Sequence, residues 1–156
     1  MKLRAARAIE KGEEITCDYL GELLNTTEQR QQSLAPYGFS CSCKACLNQG
    51  VTDARRKKYL TWQLGKRLSK SRRGADLEYA VHLLREMTED GLQVSPCYHS
   101  LLLEITRGYM ALGDEENALR FGQRLHAVKV ATGKGKAFKQ YTSVEAMKKN
   151  EYWKSK

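Results

Sequence analysis

The sequence predicts an α+β protein in which a small β-rich segment with a cysteine loop is followed by an antiparallel array of α-helices. Two observations support this fold class. Up to about residue 50, short apolar runs alternate between turn residues, which is typical of strands. From Val51 onward the apolar residues recur at a period of 3.6, which is typical of amphipathic helices. We therefore expect three parts: residues 1–50, a helical region of residues 51–133, and a basic tail of residues 134–156.

Within the first part, residues 3–9 and 14–19 are predicted to form two strands joined by a turn. A helix should follow. Thr26 and Gln29 have the spacing of a capping box, in which each side chain satisfies a backbone N–H of the first turn. We expect this helix to continue to about Leu34, where the sequence Ala-Pro stops it.

Three cysteines with the spacing Cys41-x-Cys43-x-x-Cys46 indicate a metal site. This spacing brings three thiolates within reach of one ion, and thiolate-rich tetrahedral sites usually hold zinc. The nearby sequence offers no fourth ligand, so three of the four expected ligands are present. Three unrelated thiols are the alternative. Cys17 and Cys97 are better explained as small buried hydrophobic residues, although Cys17 is also a candidate for the missing ligand.

These cysteines belong to a longer set of motifs, which runs Ala5-x-Arg7-x-Ile9-x-x-Gly12-Glu13-Glu14-Ile15-Thr16-x-x-Tyr19, then Arg30-x-x-x-Leu34, then Tyr37-Gly38-Phe39-x-Cys41-x-Cys43-x-x-Cys46. The set resembles the C-terminal part of a SET domain with its post-SET zinc loop. The resemblance covers about residues 3–47 and is strongest to the SET-and-MYND type and to fungal SET proteins. Both are protein-lysine methyltransferases.

The resemblance implies roles for individual residues. Tyr19 and Tyr37 match the tyrosines of the lysine channel, which makes them the candidate catalytic residues. Phe39 matches the aromatic residue that packs on the adenine of S-adenosylmethionine, and the three loop cysteines match the zinc ligands. Methyl transfer needs a neutral amine, whereas free lysine has a pKa of about 10.4. An apolar aromatic channel disfavours the ammonium form and aligns the amine. Ordinary half-buried tyrosines are the alternative for both positions.

The chain also departs from the family pattern. A complete SET domain has an earlier half with a Gly-x-Gly type segment and an Asn-His-Ser-Cys type segment, and residues 1–47 contain neither. In the family, the second segment contacts the cofactor and usually supplies the fourth zinc ligand. We therefore expect the chain to hold only part of an active site and to be inactive alone.

Four helices are predicted after Val51. Asp53 is expected to cap the first, with an apolar stripe of Leu60, Leu64 and Leu68. The second should cover residues 75–90. Ser95, followed by Pro96, should begin the third, and Asp114 should cap the fourth.

The pair of helices within residues 102–128 resembles one tetratricopeptide repeat, although Thr106 and Gly122 depart from the repeat pattern. A repeat of this kind cannot bury its apolar face alone, so we expect it to stack on the preceding helices. This helical region is a candidate surface for a protein partner. A plain antiparallel helix array without a peptide-binding groove is the alternative.

The net charge of +9 is unevenly distributed. Residues 51–74 contain nine basic residues and one acidic residue, whereas residues 75–127 contain four basic and nine acidic residues. A basic cluster near aromatic residues is compatible with nucleic-acid binding, but no nucleic-acid-binding motif accompanies it, and we do not expect such a partner. No apolar run is long enough for a membrane span, and no secretory signal is seen. The cysteine pattern fits a reducing compartment, so we expect a cytoplasmic or nuclear protein, or both.

Three functions remain open at this point. The first is a partial SET-type lysine methyltransferase that uses S-adenosylmethionine and acts on a protein lysine, histone or non-histone. The second is a non-catalytic helical-repeat scaffold that binds protein partners. The third is a nucleic-acid-associated protein, which we rank last.

Overall fold

The computed structural model describes residues 5, 8–15, 21, 23–65 and 74–154. The chain divides into two compact units. We call residues 14–65 the cysteine unit, and residues 66–156 with residues 1–13 the helical unit. The cysteine unit contains α1 (Thr27–Leu34), a 3₁₀ helix (Ala35–Tyr37), α2 (Lys44–Leu47) and α3 (Gln49–Gly65). The helical unit contains α4 (Gly74–Glu89), α5 (Pro96–Leu112), α6 (Glu115–Ala131), a second 3₁₀ helix (Gly135–Tyr141) and α7 (Val144–Lys148).

The prediction of a small β-rich SET remnant is wrong for the residues that the structure describes, since none of them forms a strand. Residues 10–13 do form the predicted turn, in which the backbone N–H of Glu13 donates to the carbonyl oxygen of Glu10 at 3.1 Å. The described residues on either side of this turn are irregular. A two-stranded hairpin is marginally stable without further strands, and no described segment offers an edge for it to pair with. Parts of both predicted strands, including Tyr19, lie outside the described residues.

The capping box at the start of α1 is confirmed. The hydroxyl of Thr26 accepts from the backbone N–H of Gln29 at 3.4 Å, and the Thr26 N–H donates to the Gln29 side chain at 2.9 Å. The prediction that Asp53 caps the helix after the cysteines is wrong, because α3 already begins at Gln49 and Asp53 lies inside it. The Asp53 carboxylate instead accepts hydrogen bonds from Thr27, at the start of α1.

The buried face of α3 also differs from the predicted leucine stripe. Leu60 is 39% exposed, whereas Tyr59 and Trp62 are buried. The side chain of Leu64 and the whole of Leu68 lie outside the described part of the chain. Arg56 shares this buried face, and its Nε donates to the carbonyl oxygen of Leu23 at 2.8 Å. One member of the basic cluster considered for nucleic-acid binding is therefore buried against the backbone.

The predicted helical array is confirmed in the helical unit, where α5 packs against both α4 and α6. The hydroxyl of Ser95 accepts from the backbone N–H of Tyr98 at 3.1 Å, and the Asp114 carboxylate accepts from the N–H of Asn117 at 3.0 Å. Gly113 joins α5 to α6 with a φ of 72°, which glycine adopts without strain. The core of these three helices includes Leu84, Met87, Leu102, Ile105 and Leu125.

The segment after α6, treated above as a basic tail, packs against α5 and α6 of the helical unit. The second 3₁₀ helix lies against α6 at Gly122, where a Cβ atom would be 2.1 Å from the carbonyl oxygen of Tyr141. Farther along, the backbone N–H of Lys154 donates to the carbonyl oxygen of Met110 at 3.0 Å. Across the described ranges, no helix combines the length and apolar character that crossing a bilayer requires.

Candidate metal centre

The three predicted metal ligands come together in the cysteine unit. The sulfur atoms of Cys41, Cys43 and Cys46 all lie within 4.8 Å of one another. Cys43 is the N-cap of the short helix α2 and Cys46 lies within it, so a single helical turn brings these two thiols to the same side. Cys46 is buried, whereas Cys43 is exposed and Cys41 is intermediate. One side of the cluster is therefore enclosed by protein and the other is open.

Gln31, on α1, fixes the position of Cys41. Its side-chain amide donates to the carbonyl oxygen of Cys41 at 2.7 Å, and its Oε1 accepts from the backbone N–H of Cys41 at 2.9 Å. These two hydrogen bonds satisfy both backbone polar groups of a residue that belongs to no helix or strand. The start of the cysteine loop is thereby attached to α1.

Arg30, the neighbouring residue on α1, performs a similar function for Cys46. Its guanidinium donates to the Cys46 sulfur at 3.3 Å and to the hydroxyl of Thr27 at 3.1 Å. It also donates to the carbonyl oxygen of Asn25. Arg30 therefore connects the first turn of α1 with the buried thiol and places a positive charge beside it.

The backbone of α2 contributes further hydrogen bonds to the cluster. Burial acts to raise the pKa of Cys43, but the backbone N–H groups of Cys46 and Ala45 and the neighbouring thiols outweigh it and lower the pKa. For Cys41, the backbone N–H of Cys43 acts to lower the pKa, whereas burial and the other two cysteines raise it overall. Cys43 is thus expected to lose its proton at a lower pH than Cys41.

The donor set fits zinc. Three sulfur ligands at this separation, supported by N–H donors, match the thiolate-rich sites that Zn²⁺ prefers. No other His, Cys, Asp or Glu within the described ranges joins the group, so these residues provide three ligands. Cys17, the candidate for the fourth ligand, lies outside the described residues. Cys97 is buried in the helical unit, as its assignment as a small hydrophobic residue predicts.

The predicted aromatic residues lie just before the cysteines, at the surface. Tyr37 ends the first 3₁₀ helix and is 77% exposed, and Phe39 is 56% exposed. Neither side chain lines an enclosed channel in the part of the chain that the structure describes. Tyr19 lies outside the described residues, so its place beside Tyr37 in a lysine channel stays a prediction from the resemblance.

Sequence reasoning missed the roles of two residues. Arg30 appeared in the family motif without a function, and Gln31 gave no signal at all. The helical period could have indicated Arg30, because Thr27 and Arg30 lie one turn apart at the end of α1 that the capping box defines.

Comparisons with known proteins add short partial matches. Residues of this chain are 47% identical over 47 residues to the human histone-lysine N-methyltransferase SMYD3, which is 30% of this chain and 11% of that protein. The Arabidopsis thaliana histone-lysine N-methyltransferase ATXR2 is 54% identical over 43 residues, or 28% of this chain and 9% of that protein. A SET and MYND domain-containing protein of Dictyostelium discoideum is 40% identical over 48 residues, or 31% of this chain and 14% of that protein.

No family model matches the chain, and no solved structure matches it. Each match covers less than a sixth of the relative's length. The matches support a relationship to SET-domain proteins, with histone-lysine methyltransferases among the relatives.

Proposed function

We propose that this chain carries the C-terminal part of a SET-type protein-lysine methyltransferase that uses S-adenosylmethionine. The supporting observation is the cluster of three cysteine sulfurs within 4.8 Å, immediately after the sequence Tyr37-Gly38-Phe39. Partial identity to histone-lysine methyltransferases supports methyl transfer to lysine as the reaction class. The cluster would hold a structural zinc ion that keeps the aromatic residues in position.

The aromatic residues would supply the chemistry of substrate alignment. Tyr19 and Tyr37 would form one wall of a lysine channel, where low polarity favours the neutral amine. Their hydroxyls can orient the amine without adding charge. Phe39 would pack on the adenine of S-adenosylmethionine, which supplies the methyl group when bound. The exposure of Phe39 supports its assignment, because the ring is available to a ligand.

We also propose that these residues are not sufficient for turnover. The described residues offer three zinc ligands, and residues 3–47, which carry the resemblance, have no Gly-x-Gly or Asn-His-Ser-Cys type segment for the cofactor. The substrate would be a lysine in a protein, histone or non-histone, and the location cytoplasmic or nuclear. The sequence does not specify the target lysine.

The first experiment is calorimetric titration of the zinc-loaded chain with S-adenosylmethionine, with the zinc content measured on the same sample. Saturable binding with one zinc per chain, lost in Phe39→Ala but retained in Leu47→Ala, would support a partial cofactor site. Leu47 is a suitable control because it is also exposed and lies next to Cys46. A chain that binds no zinc would contradict the proposal.

A chimera tests the proposed reaction class even if this chain holds only part of an active site. Residues 3–47 of this chain would replace the corresponding stretch of human SMYD3, and histone methylation would be measured. We expect the chimera to retain activity and Tyr19→Phe or Tyr37→Ala to reduce it by at least about tenfold, since each tyrosine aligns the amine. A folded, zinc-loaded chimera without activity would argue against the proposed roles.

A second candidate function is a non-catalytic scaffold that binds protein partners through the helical unit. The observation that favours it is that α4, α5 and α6 enclose their own apolar core and leave a groove open between α4 and α6. If the zinc-loaded chain binds no S-adenosylmethionine and the chimera is inactive, this function becomes the better explanation.

A further inference from the structure

A groove between α4 and α6 has a composition that the zinc site and the methyltransferase motifs do not explain. Its volume is about 290 Å³. It is lined by apolar side chains and by arginines, which are Val81, Leu84, Arg85, Thr88, Arg120, Phe121 and Arg124. Leu84 and Phe121 are buried and form an apolar floor. The groove belongs entirely to the helical unit.

Positive charge is concentrated in this groove. Residues 75–127 contain only four basic residues against nine acidic ones, yet three of those four line the groove. The fourth, Arg107, is engaged elsewhere, since it lies 3.2 Å from Glu104 and its guanidinium stacks 4.2 Å from the centre of the Tyr152 ring. Three arginines around one apolar floor in an otherwise acidic segment are not explained by a generally basic surface.

None of the three guanidinium groups is neutralised by a carboxylate of the described residues, and two of them have uncharged neighbours. Arg124 donates to the hydroxyl of Thr88 at 2.8 Å, and Arg120 lies 4.7 Å from the centre of the Phe121 ring. Within the described ranges, none of the three has a carboxylate oxygen within 4.0 Å. Each guanidinium has five N–H donors, so most of the donors remain available. A ligand with carboxylates would therefore find unpaired cationic donors at the exposed rim of the groove.

We propose that the groove binds an acidic peptide segment of a protein partner. Aspartate or glutamate side chains would pair with Arg85, Arg120 and Arg124, and an apolar side chain would cover Leu84 and Phe121. The volume lies just below the usual range of roughly 300–1,000 Å³ for small-molecule pockets, which suits one or two side chains better than a cofactor.

Charge and shape favour a peptide over a nucleic acid. A duplex carries about one negative charge per 1.7 Å of its axis and needs a long basic surface. Here the acidic residues of the same segment outnumber its basic residues, so the two helices that form the groove do not provide such a surface. A peptide can place a few carboxylates at the arginines and avoid the acidic surroundings.

The site goes beyond methyl transfer and gives the scaffold alternative a specific ligand. It involves no cysteine, no metal and neither of the aromatic residues Tyr37 and Phe39. Its test can therefore fail while zinc and S-adenosylmethionine bind, and it can succeed when they do not.

The test uses the full 156-residue chain and a fluorescein-labelled peptide of aspartates and glutamates around one central leucine, followed by fluorescence anisotropy. The groove variant carries Arg85→Gln and Arg120→Gln. The matched control carries Lys136→Gln and Lys139→Gln, which remove the same charge from exposed lysines outside the groove. We expect the groove variant to weaken binding by about tenfold or more and the control by less than about twofold.

A peptide with serine in place of the leucine should also bind more weakly, because it leaves the apolar floor uncovered. Circular dichroism checks folding. If the double variant is unfolded, Arg85→Gln alone replaces it, since Arg85 makes no hydrogen bond or ion pair within the described ranges. The proposal is overturned by absence of saturable binding or by equal losses in groove and control variants. It is also overturned if a DNA duplex displaces the peptide and binds more tightly, with the same sensitivity to the groove variant.

Discussion

The carboxylate of Asp53, in α3, accepts hydrogen bonds from the backbone N–H of Thr27 at 2.9 Å and from its hydroxyl at 3.0 Å. Thr27 is the first residue of α1, whose N-terminal N–H groups have no partner within the helix. The contact spans 26 residues of sequence and joins the two longer helices of the cysteine unit. Because α1 also carries Arg30 and Gln31, Asp53 indirectly supports the helix that positions the cysteines.

We expect Asp53→Ala to lower the free energy of unfolding of the cysteine unit by about 1–2 kcal/mol, since it removes a cap and leaves a part-buried N–H unpaired. Urea denaturation followed by circular dichroism measures the change. Lys57→Ala, on the exposed face of α3, is the control and should change stability by less than about 0.5 kcal/mol. Equal effects in both variants would show that the contact does not stabilise the unit.

The second prediction concerns the close approach of the second 3₁₀ helix to α6. A Cβ at Gly122 would lie 2.1 Å from the carbonyl oxygen of Tyr141 and 2.5 Å from Cε of Met147. Gly122→Ala should therefore destabilise the helical unit by about 1–3 kcal/mol, despite the better helix propensity of alanine. Thermal unfolding measures the effect.

Gly50→Ala is the matched control for this change, because Gly50 also lies in a helix and a Cβ there would meet nothing within 4 Å. We expect it to be neutral or slightly stabilising. If Gly122→Ala were as stable as Gly50→Ala, the 3₁₀ helix would not pack on α6 as described.

Boundaries set by neighbouring residues were predictable from the sequence. The predicted N-caps are confirmed for α1, α5 and α6, at Thr26, Ser95 and Asp114. They were predictable because a cap bonds to N–H groups only two or three residues away. The helices of the helical unit were likewise predictable, from the 3.6 period of the apolar residues.

Features that depend on distant contacts were not predictable. Asp53 resembles an N-cap in its local sequence, but its partner lies on another helix. Leu60 was assigned to the buried face of α3, but it is exposed, whereas Tyr59 and Trp62 are buried. The strands were inferred from alternation alone, and a strand also needs a partner to pair with. Gly122 looked like a departure from a repeat pattern, and only the position of Tyr141 explains why a glycine is needed there.

The candidate metal site was predictable only where it depends on residues close together in the sequence. Short spacing forces the sulfurs of Cys41, Cys43 and Cys46 together whatever the surrounding fold, and they do converge. Their support from Arg30 and Gln31 depends on how α1 lies beside the loop, which no local pattern encodes.

The third prediction follows from the burial of Cys97, which raises the pKa of its thiol to about 11. The folded state therefore holds this proton more tightly than the unfolded state, in which the pKa is about 8.5. The resulting contribution to stability is complete below the unfolded pKa and is lost as the pH rises toward 11.

We expect the urea midpoint of the chain to fall more between about pH 8 and pH 10.5 than that of Cys97→Ala, in which this titration is absent. The comparison between the two proteins cancels the tyrosines and lysines that titrate in the same range. Identical pH dependence in both would contradict the assignment of Cys97 as a buried, protonated thiol.

The last prediction concerns the hydrogen bond from Arg30 to the sulfur of Cys46 at 3.3 Å. Groups that support metal ligands typically change metal affinity by about 10–100-fold when removed. Arg30→Met keeps much of the side-chain volume but loses the donor and the charge, so zinc should bind at least about tenfold more weakly. Competition with a chromogenic chelator measures the affinity, and the thiolate absorption of the Co²⁺-loaded chain shows whether all three sulfurs still bind.

Lys44→Met is the matched control, because Lys44 is an exposed cation at the start of α2, adjacent to Cys43. It should leave the zinc affinity within about twofold if the hydrogen bond, rather than the general positive charge, is responsible. Arg30→Lys separates the two effects further, since lysine keeps the charge but lacks the planar group that reaches Asn25, Thr27 and Cys46 together. If Arg30→Lys binds zinc as tightly as the unchanged chain, charge alone accounts for the role of Arg30. If Arg30→Met does so as well, Arg30 has no part in holding the metal.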